Sequence, residues 1–282
     1  MDTILPSQPA EYKTLLRCSL KLYRASLKKV LLLTLLLTLI VFIPRILSDI
    51  IGQDLFSYLP AFSPQRLWLF AIDLAALVFF VAMLWRVHCV IRGYHEPLFE
   101  DLKIGLKKAC YVFVASIIQS FFLFTVVIAV FFSQVLLLKY DLLFGTALLG
   151  KLFTVAVFLS QVILIFYVST LFLFLVPLIA TENKGILIAL QKSISLGWNH
   201  FWRIISLQST PWICYLIALS IAKYLLNIDV HIYFVGHGVH TITATIFNML
   251  LFFLFIPWVA TLLLTQLNDL ELRKQVTAIK QK

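Results

Sequence analysis

Charged residues are scarce in this chain of 282 residues. They make up 13% of it, whereas about 25% is usual in a soluble domain. Hydrophobic residues make up 62%. The shortage of charge excludes a soluble globular enzyme and a disordered chain, because both need far more polar surface. This composition is typical of a polytopic membrane protein.

Cysteine and catalytic motifs are also sparse. The four cysteines include no CxxC pair, which excludes a disulfide scaffold and gives no metal-binding spacing. The chain has no GxSxG sequence, glycine-rich phosphate loop or usefully spaced carboxylate pair. We interpret Glu96, Glu100 and Asp101, beside His95, as the solvated start of a helix. The sequence therefore predicts a non-enzymatic protein with no cofactor and no metal.

Long apolar runs occupy most of the chain. A run of about 20 apolar residues crosses the hydrocarbon core of a bilayer. Six such runs are present, and each predicts a transmembrane helix. They cover residues 30–47, 67–85, 112–138, 152–181, 204–222 and 241–265.

The basic residues predict how the chain is oriented. The net charge is +10, and most of the 23 Lys and Arg residues fall on the segments that share a side with the N-terminus. By the positive-inside rule, both termini are cytoplasmic, including a tail over residues 275–282. The basic segments are expected to contact anionic lipid headgroups at the cytoplasmic face. The sequence contains no arginine-rich tract that would indicate nucleic acid as a partner.

The chain also repeats itself three times. When Ser19, Gly105 and Ser193 are aligned, the residue three positions before each and the residue directly after each are leucine or isoleucine in all three segments. The resulting units cover roughly residues 10–92, 93–181 and 182–274 of a single membrane domain, 1–282. Each unit begins with an amphipathic segment, expected to lie in the headgroup layer either as an anchor or as a lipid-sensing or docking element. The predicted fold is all-α: six transmembrane helices in three repeats, each preceded by an interfacial amphipathic helix.

Short motifs in the last unit resemble a known family. They read ENKG at 182–185, ALQKS at 189–193, NHFWRI at 199–204 and QLNDLELR at 266–273. These motifs resemble those of the YciC-like bacterial inner-membrane proteins and of the membrane domain attached to some glycerophosphodiester phosphodiesterases. In that family a tyrosine often replaces Leu267 or Asn268. The resemblance implies a bacterial inner-membrane location and supplies no catalytic residue.

Asp73 is the one acidic residue inside a predicted span. Acids within membranes are candidates for ion or proton handling because their charge is costly there. The alternative is a structural one, since Asp73 lies near the outer end of its span. There it is within reach of Arg66, Arg45 or interfacial water.

Polar side chains recur in the later spans. Gln119 and Ser120 fall in the third span, Gln161 in the fourth, Thr210 in the fifth and Asn248 in the sixth. Such residues line a path for a lipid or solute, or join helices through hydrogen bonds of about 1 kcal/mol each. Helix association is the simpler interpretation. With the acid of the second span, these five residues form the candidate polar site.

The segment 229–240 combines Asp229 with His231, His237 and His240. Imidazole suits zinc or copper, but the spacing is that of a glycine-containing loop. We interpret the segment as a solvated loop with titrating histidines.

Two functions fit these observations. The first is a non-enzymatic integral membrane protein that supports envelope or lipid homeostasis through lipid or partner binding. The second is a transporter or permease component for a lipid or small solute. The nine glycines lie mostly outside the spans, and the sequence predicts no buried charge pair, both of which disfavour the transporter.

Overall fold

A computed structural model describes residues 5–51, 63–94, 97–139, 148–182, 185–225 and 242–280, and all regular structure within these ranges is α-helical. The helices are α1 (Tyr12–Ile51), α2 (Pro64–Arg92), α3 (Leu98–Lys139), α4 (Leu148–Leu171), α5 (Leu175–Thr181), α6 (Ile186–Gly197), α7 (Phe201–Leu225) and α8 (Ile242–Lys280). The histidine segment 229–240 lies outside the described residues.

Six helical segments of the described chain are long and apolar enough to cross a membrane, which confirms the predicted number of spans. Each contains a predicted span or most of one, and α4 and α5 together provide the fourth. The segments are Tyr12–Leu47, Arg66–Arg92, Leu98–Leu137, Gly150–Thr181, Phe201–Leu225 and Thr243–Thr277.

The predicted amphipathic segments join their spans in two different ways. In the first two units the segment is continuous with the span, so that α1 is 40 residues long and α3 is 42. In the third unit α6 ends at Gly197 and α7 begins at Phe201. Asn199 has a φ of 68° in this connection, a left-handed conformation that asparagine adopts more readily than most residues.

The fourth span is broken rather than continuous. A turn over residues 172–174 separates α4 from α5, and Pro177 lies in the first turn of α5. Because proline has no backbone N–H, it fits the start of a helix better than the middle. Pro257, in the similar sequence of the last unit, lies inside the uninterrupted α8.

The core is formed mainly where α1, α2, α5 and α8 pack together. Its largest fully buried side chains include Leu22, Leu33, Met83, Phe174 and Leu178. The second half of α3 and most of α4 instead expose large apolar side chains, such as those of Phe121, Phe131 and Leu159. Such a surface is stable against lipid tails, which are as apolar as the side chains.

Small residues mark close helix approaches near the start of the second and third predicted units. The aligned residues Ser19, Gly105 and Ser193 are all buried. A Cβ atom at Gly105 would come within 2.8 Å of the Cβ of Ala82 on α2. The hydroxyl of Ser193 donates a hydrogen bond of 2.7 Å to the carbonyl oxygen of Leu171. Close approach and hydrogen bonding are the two main sources of helix association inside a membrane.

We predict that Gly105→Ala destabilises the protein by about 1–3 kcal/mol, because the added methyl group forces α2 and α3 apart. Thermal unfolding in detergent, followed by tryptophan fluorescence, measures the loss. Gly185→Ala is the matched control, since a Cβ there meets no atom within 4 Å. Equal stability of the two variants would show that the α2–α3 contact tolerates the methyl group.

Candidate functional site

Most of the paired charges of the described chain lie at one end of the helix bundle. There the start of α1, the end of α2, the start of α3, the segments around α5 and α6, the start of α7 and the end of α8 contact one another. We call this the charged end, and define it as the described residues within the ranges 5–30, 85–110, 179–206 and 266–280. It is the end that the distribution of Lys and Arg predicts to be cytoplasmic.

Asp269 of α8 is the centre of the first ionic cluster at the charged end. Its carboxylate is fully buried and accepts hydrogen bonds from the backbone N–H of Ala10 at 2.8 Å and from Nε of Arg203 and Arg273, each at 3.0 Å. Both guanidinium groups also donate to the carbonyl oxygen of Ala10. The cluster therefore fixes the segment before α1 against both α7 and α8.

Lys192 of α6 is the centre of the second ionic cluster. Its ammonium contacts the carboxylates of Glu182 and Glu271, the latter at 2.5 Å. Burial opposes the charge of Lys192, but the hydrogen bonds to these two carboxylates outweigh burial and raise the pKa of Lys192. The cluster joins α6 to α8 and to the residue that follows α5.

Arg86 and Asp101 form a third pair, which joins α2 to α3 at 2.8 Å. Asp101 is fully buried, so the interpretation of this residue as part of a solvated helix start is wrong. The expectation that no charge pair is buried is wrong for the same reason. Asp101 does lie in the first turn of α3, where the helix dipole favours a negative charge.

A cavity of about 490 Å³ opens beside these clusters, between α2, α3 and α5. One part of its wall is apolar or aromatic and another part is charged. It is lined by Trp85, Ile104, Lys107, Lys108, Tyr111, Ile179, Glu182 and Gly185. A site with this mixture, near the end of membrane-crossing helices, is suited to a molecule with a polar head and an apolar body.

Lys108 is the most deeply buried basic group in the cavity wall, with 8% of its surface exposed. Its Nζ atom donates a hydrogen bond of 2.6 Å to the carbonyl oxygen of Ala180, in the last turn of α5. The same atom lies 4.5 Å from the centre of the Trp85 ring, in a cation–π contact. These two contacts hold the ammonium group at the edge of the cavity.

The candidate acid Asp73 lies apart from this cavity. Its side chain is exposed on α2 and makes neither an ion pair nor a side-chain hydrogen bond with any residue that the structure describes. The pairing with Arg66 or Arg45 that the sequence left open is thus absent from the described contacts.

The other five candidate residues are distributed over four helices, and none of them lines the cavity. Gln161, buried on α4, accepts a hydrogen bond from Gln134 and donates one to Ser133, so it joins α4 to α3. Thr210 shares a hydrogen bond of 2.5 Å with the hydroxyl of Tyr12. Asn248 is buried on α8. On α3, Gln119 is half-buried and Ser120 is exposed.

Sequence reasoning overlooked the residues that matter most at the charged end. Lys108 was counted only as one of several basic residues, and Asp269 only as part of a motif. One available signal was the alignment of the three units, in which Lys108 occupies the column of Leu22 and Leu196. The predicted repeat has leucine at this position in two of its three segments. The lysine in the second segment departs from that pattern.

The described residues contain no group of three or more potential metal ligands. The segment 229–240 lies outside them, so its interpretation as a solvated loop with titrating histidines stays a prediction.

Searches against family models, curated proteins and solved structures find no match for this chain. The resemblance to YciC-like proteins therefore stays a prediction, and the geometry alone must support a function.

We predict that Asp269→Asn lowers the free energy of unfolding by about 3 kcal/mol, because two guanidinium groups lose their only shared carboxylate in a buried cluster. Thermal unfolding in detergent measures the change. Glu100→Gln, which removes an exposed carboxylate at the same end, is expected to change stability by less than about 0.5 kcal/mol. Similar losses in both variants would mean that the Asp269 cluster does not hold the bundle together.

We also predict acid sensitivity through His200, which is half-buried just before α7. Burial, Arg273 and Arg203 lower the pKa of His200 below its ordinary 6.5, while Asp269 opposes them. The unfolded chain therefore binds the proton first, and the stability that neutral His200 contributes declines as the pH falls below 6.5. Between about pH 7.5 and about pH 5.5, the unfolding temperature should fall further in the wild type than in His200→Gln. Parallel curves would contradict this assignment.

Proposed function

We propose that this protein is a non-enzymatic integral membrane protein that supports envelope or lipid homeostasis by binding membrane lipid at the charged end. The observation that carries the proposal is the cavity between α2, α3 and α5, whose wall combines lysine side chains with apolar ones. A diacyl lipid has the same division into a polar head and apolar chains. The walls formed by Trp85, Ile104 and Ile179 suit the chains, and the lysine ammonium groups suit the head.

The surface around the charged end supports the same orientation at the membrane. Lys13, Arg17, Lys21, Arg24 and Lys28 are all exposed along α1. A basic stripe of this kind is attracted to anionic headgroups, by about 1 kcal/mol for each residue near the surface. We therefore propose that the charged end, and with it both termini, faces the cytoplasm. The bacterial inner membrane is implied by the resemblance to the YciC-like family.

The three-unit organisation is part of the proposal. The columns that align by sequence also agree in burial: Ser19, Gly105 and Ser193 are buried, and so are Leu22, Lys108 and Leu196 three residues further on. This agreement supports a common packing role for the amphipathic segment of each unit. In this arrangement the segments position the helix pairs at one membrane surface.

Transport of a lipid or small solute is the less favoured alternative. Two of the polar residues proposed to line a path form local contacts between helices instead: Gln161 contacts Gln134, and Thr210 contacts Tyr12. Hydrogen bonds of this type associate helices within a membrane. They support a binding or scaffold role over a continuous polar pathway.

We predict that the protein released from nanodiscs of its own membrane lipid carries one lipid class in stoichiometric, selectively enriched amounts. Native mass spectrometry measures the bound lipid, and flux into proteoliposomes tests transport separately. Recovery of lipid in bulk proportions would contradict lipid binding as the function.

A cavity-filling variant connects the bound lipid to the cavity. Gly185→Trp places an indole ring at the cavity wall from a position where a Cβ meets no neighbouring atom. We expect this variant to lose the enriched lipid. Leu187→Trp, at an exposed residue two positions away, is the matched control and should retain it.

A further inference from the structure

We infer that Lys108, assisted by Lys107, binds the phosphate group of an anionic lipid in the cavity between α2, α3 and α5. This inference rests on the proposed function and names the chemistry of its ligand. The charge of Lys108 is compensated differently from the charges of the other buried basic groups at the charged end.

Lys108 is a buried cation that has no neighbouring carboxylate among the residues that the structure describes. It is 8% exposed, yet no carboxylate of the described residues lies within ion-pair distance of its ammonium. A charge removed from water is costly unless an opposite charge or several hydrogen bonds compensate for it. The carbonyl oxygen of Ala180 and the ring of Trp85 compensate in part, and neither carries a negative charge.

The neighbouring basic groups show how this protein otherwise compensates buried charge. Arg86 pairs with Asp101, Arg203 and Arg273 share Asp269, and Lys192 contacts two glutamates. Among the described residues of the cavity wall, Glu182 is the one carboxylate, and it contacts Lys192. The cavity therefore keeps an excess of positive charge on the side where Lys107 and Lys108 lie.

The repeat shows that the packing does not require a lysine at this position. The residues aligned with Lys108 in the other two units are Leu22 and Leu196, and both are almost fully buried. A leucine thus fills the equivalent position twice without the cost of burying a charge. Replacement of a leucine by a lysine at a cavity wall indicates a role for the charge, and that role is recognition of an anion.

The geometry favours a phosphate group as the anion. An ammonium group has three N–H donors, of which the Ala180 carbonyl uses one, so donors remain for a ligand with several acceptor oxygens. Lys107, exposed and also in the cavity wall, provides a second ammonium. The apolar side chains of Ile104 and Ile179 favour a phosphate attached to acyl chains over a free phosphate ion.

The test measures lipid binding by the full-length protein in detergent micelles with native mass spectrometry. The probes are dioleoylphosphatidylglycerol, dioleoylglycerol, which has the same acyl chains without a phosphate, and inorganic phosphate. Lys108→Gln removes the charge but keeps an N–H donor on the side chain. A purely structural lysine would then affect the thermal stability of the protein and not its selectivity for the lipid that carries a phosphate. Lys103→Gln, on an exposed position one turn earlier, is the matched control.

We expect Lys108→Gln to weaken phosphatidylglycerol binding about tenfold, which corresponds to the loss of one charge-assisted hydrogen bond, and to leave the binding of dioleoylglycerol unchanged. Lys103→Gln should bind as the wild type does. Lys107→Gln, a second variant at an exposed position, should weaken binding by a smaller factor and serves if Lys108→Gln does not fold.

Unchanged phosphatidylglycerol binding by folded Lys108→Gln would overturn the inference about Lys108. The proposed function would still stand if the wild type carries an enriched lipid. Wild-type protein with neither lipid selectivity nor an enriched lipid would overturn both. If inorganic phosphate competes as effectively as the lipid does, the ligand of the site is a free phosphate ion. That result would overturn the inference that the bound phosphate belongs to a lipid.

Discussion

Charge compensation at the charged end is the constraint on which the rest of the bundle depends. A helix bundle in lipid gains little from burying apolar surface between helices, because lipid tails solvate that surface equally well. Buried ionic contacts are then strong determinants of which helices meet. Asp269 alone joins the segment before α1, the start of α7 and the end of α8, which are far apart in the chain. With Arg86–Asp101 and the Lys192 cluster, it connects elements of all three proposed units.

Small residues provide the close approach that these ionic contacts need. Gly105 lets α3 lie directly against α2, a few residues from the Arg86–Asp101 pair. Gly197 has a similar role, since a Cβ there would come within 3.0 Å of the Cα of Leu171. Ser193 adds a hydrogen bond to the same residue of α4. Short distances and short-range electrostatics therefore act at the same helix crossings.

The sequence was sufficient to predict the spans but not the partners of the charged residues. Hydropathy over about 20 residues depends only on local composition, so the six spans follow directly from it. Pairing depends on which distant segments meet. The sequence favoured Asp73 because it lies inside an apolar run, whereas the structure leaves it exposed and buries Asp101 and Asp269. Those two acids lie near the ends of spans. There the hydrophobic periodicity indicates which helix face a residue is on, but not which basic residue pairs with it.

The break in the fourth span connects this architecture to the cavity. Because the chain turns at residues 172–174, α5 is a separate short helix, and its last turn directs the Ala180 carbonyl to Lys108. Glu182 follows at once and joins Lys192. One carbonyl at the negative end of a helix and one aromatic face stabilise a lysine ammonium without neutralising it. A carboxylate in their place would complete the charge pair within the protein, and the cavity would have no electrostatic preference. The wall around Lys108 thus holds a positive charge in position and leaves its neutralisation to a ligand.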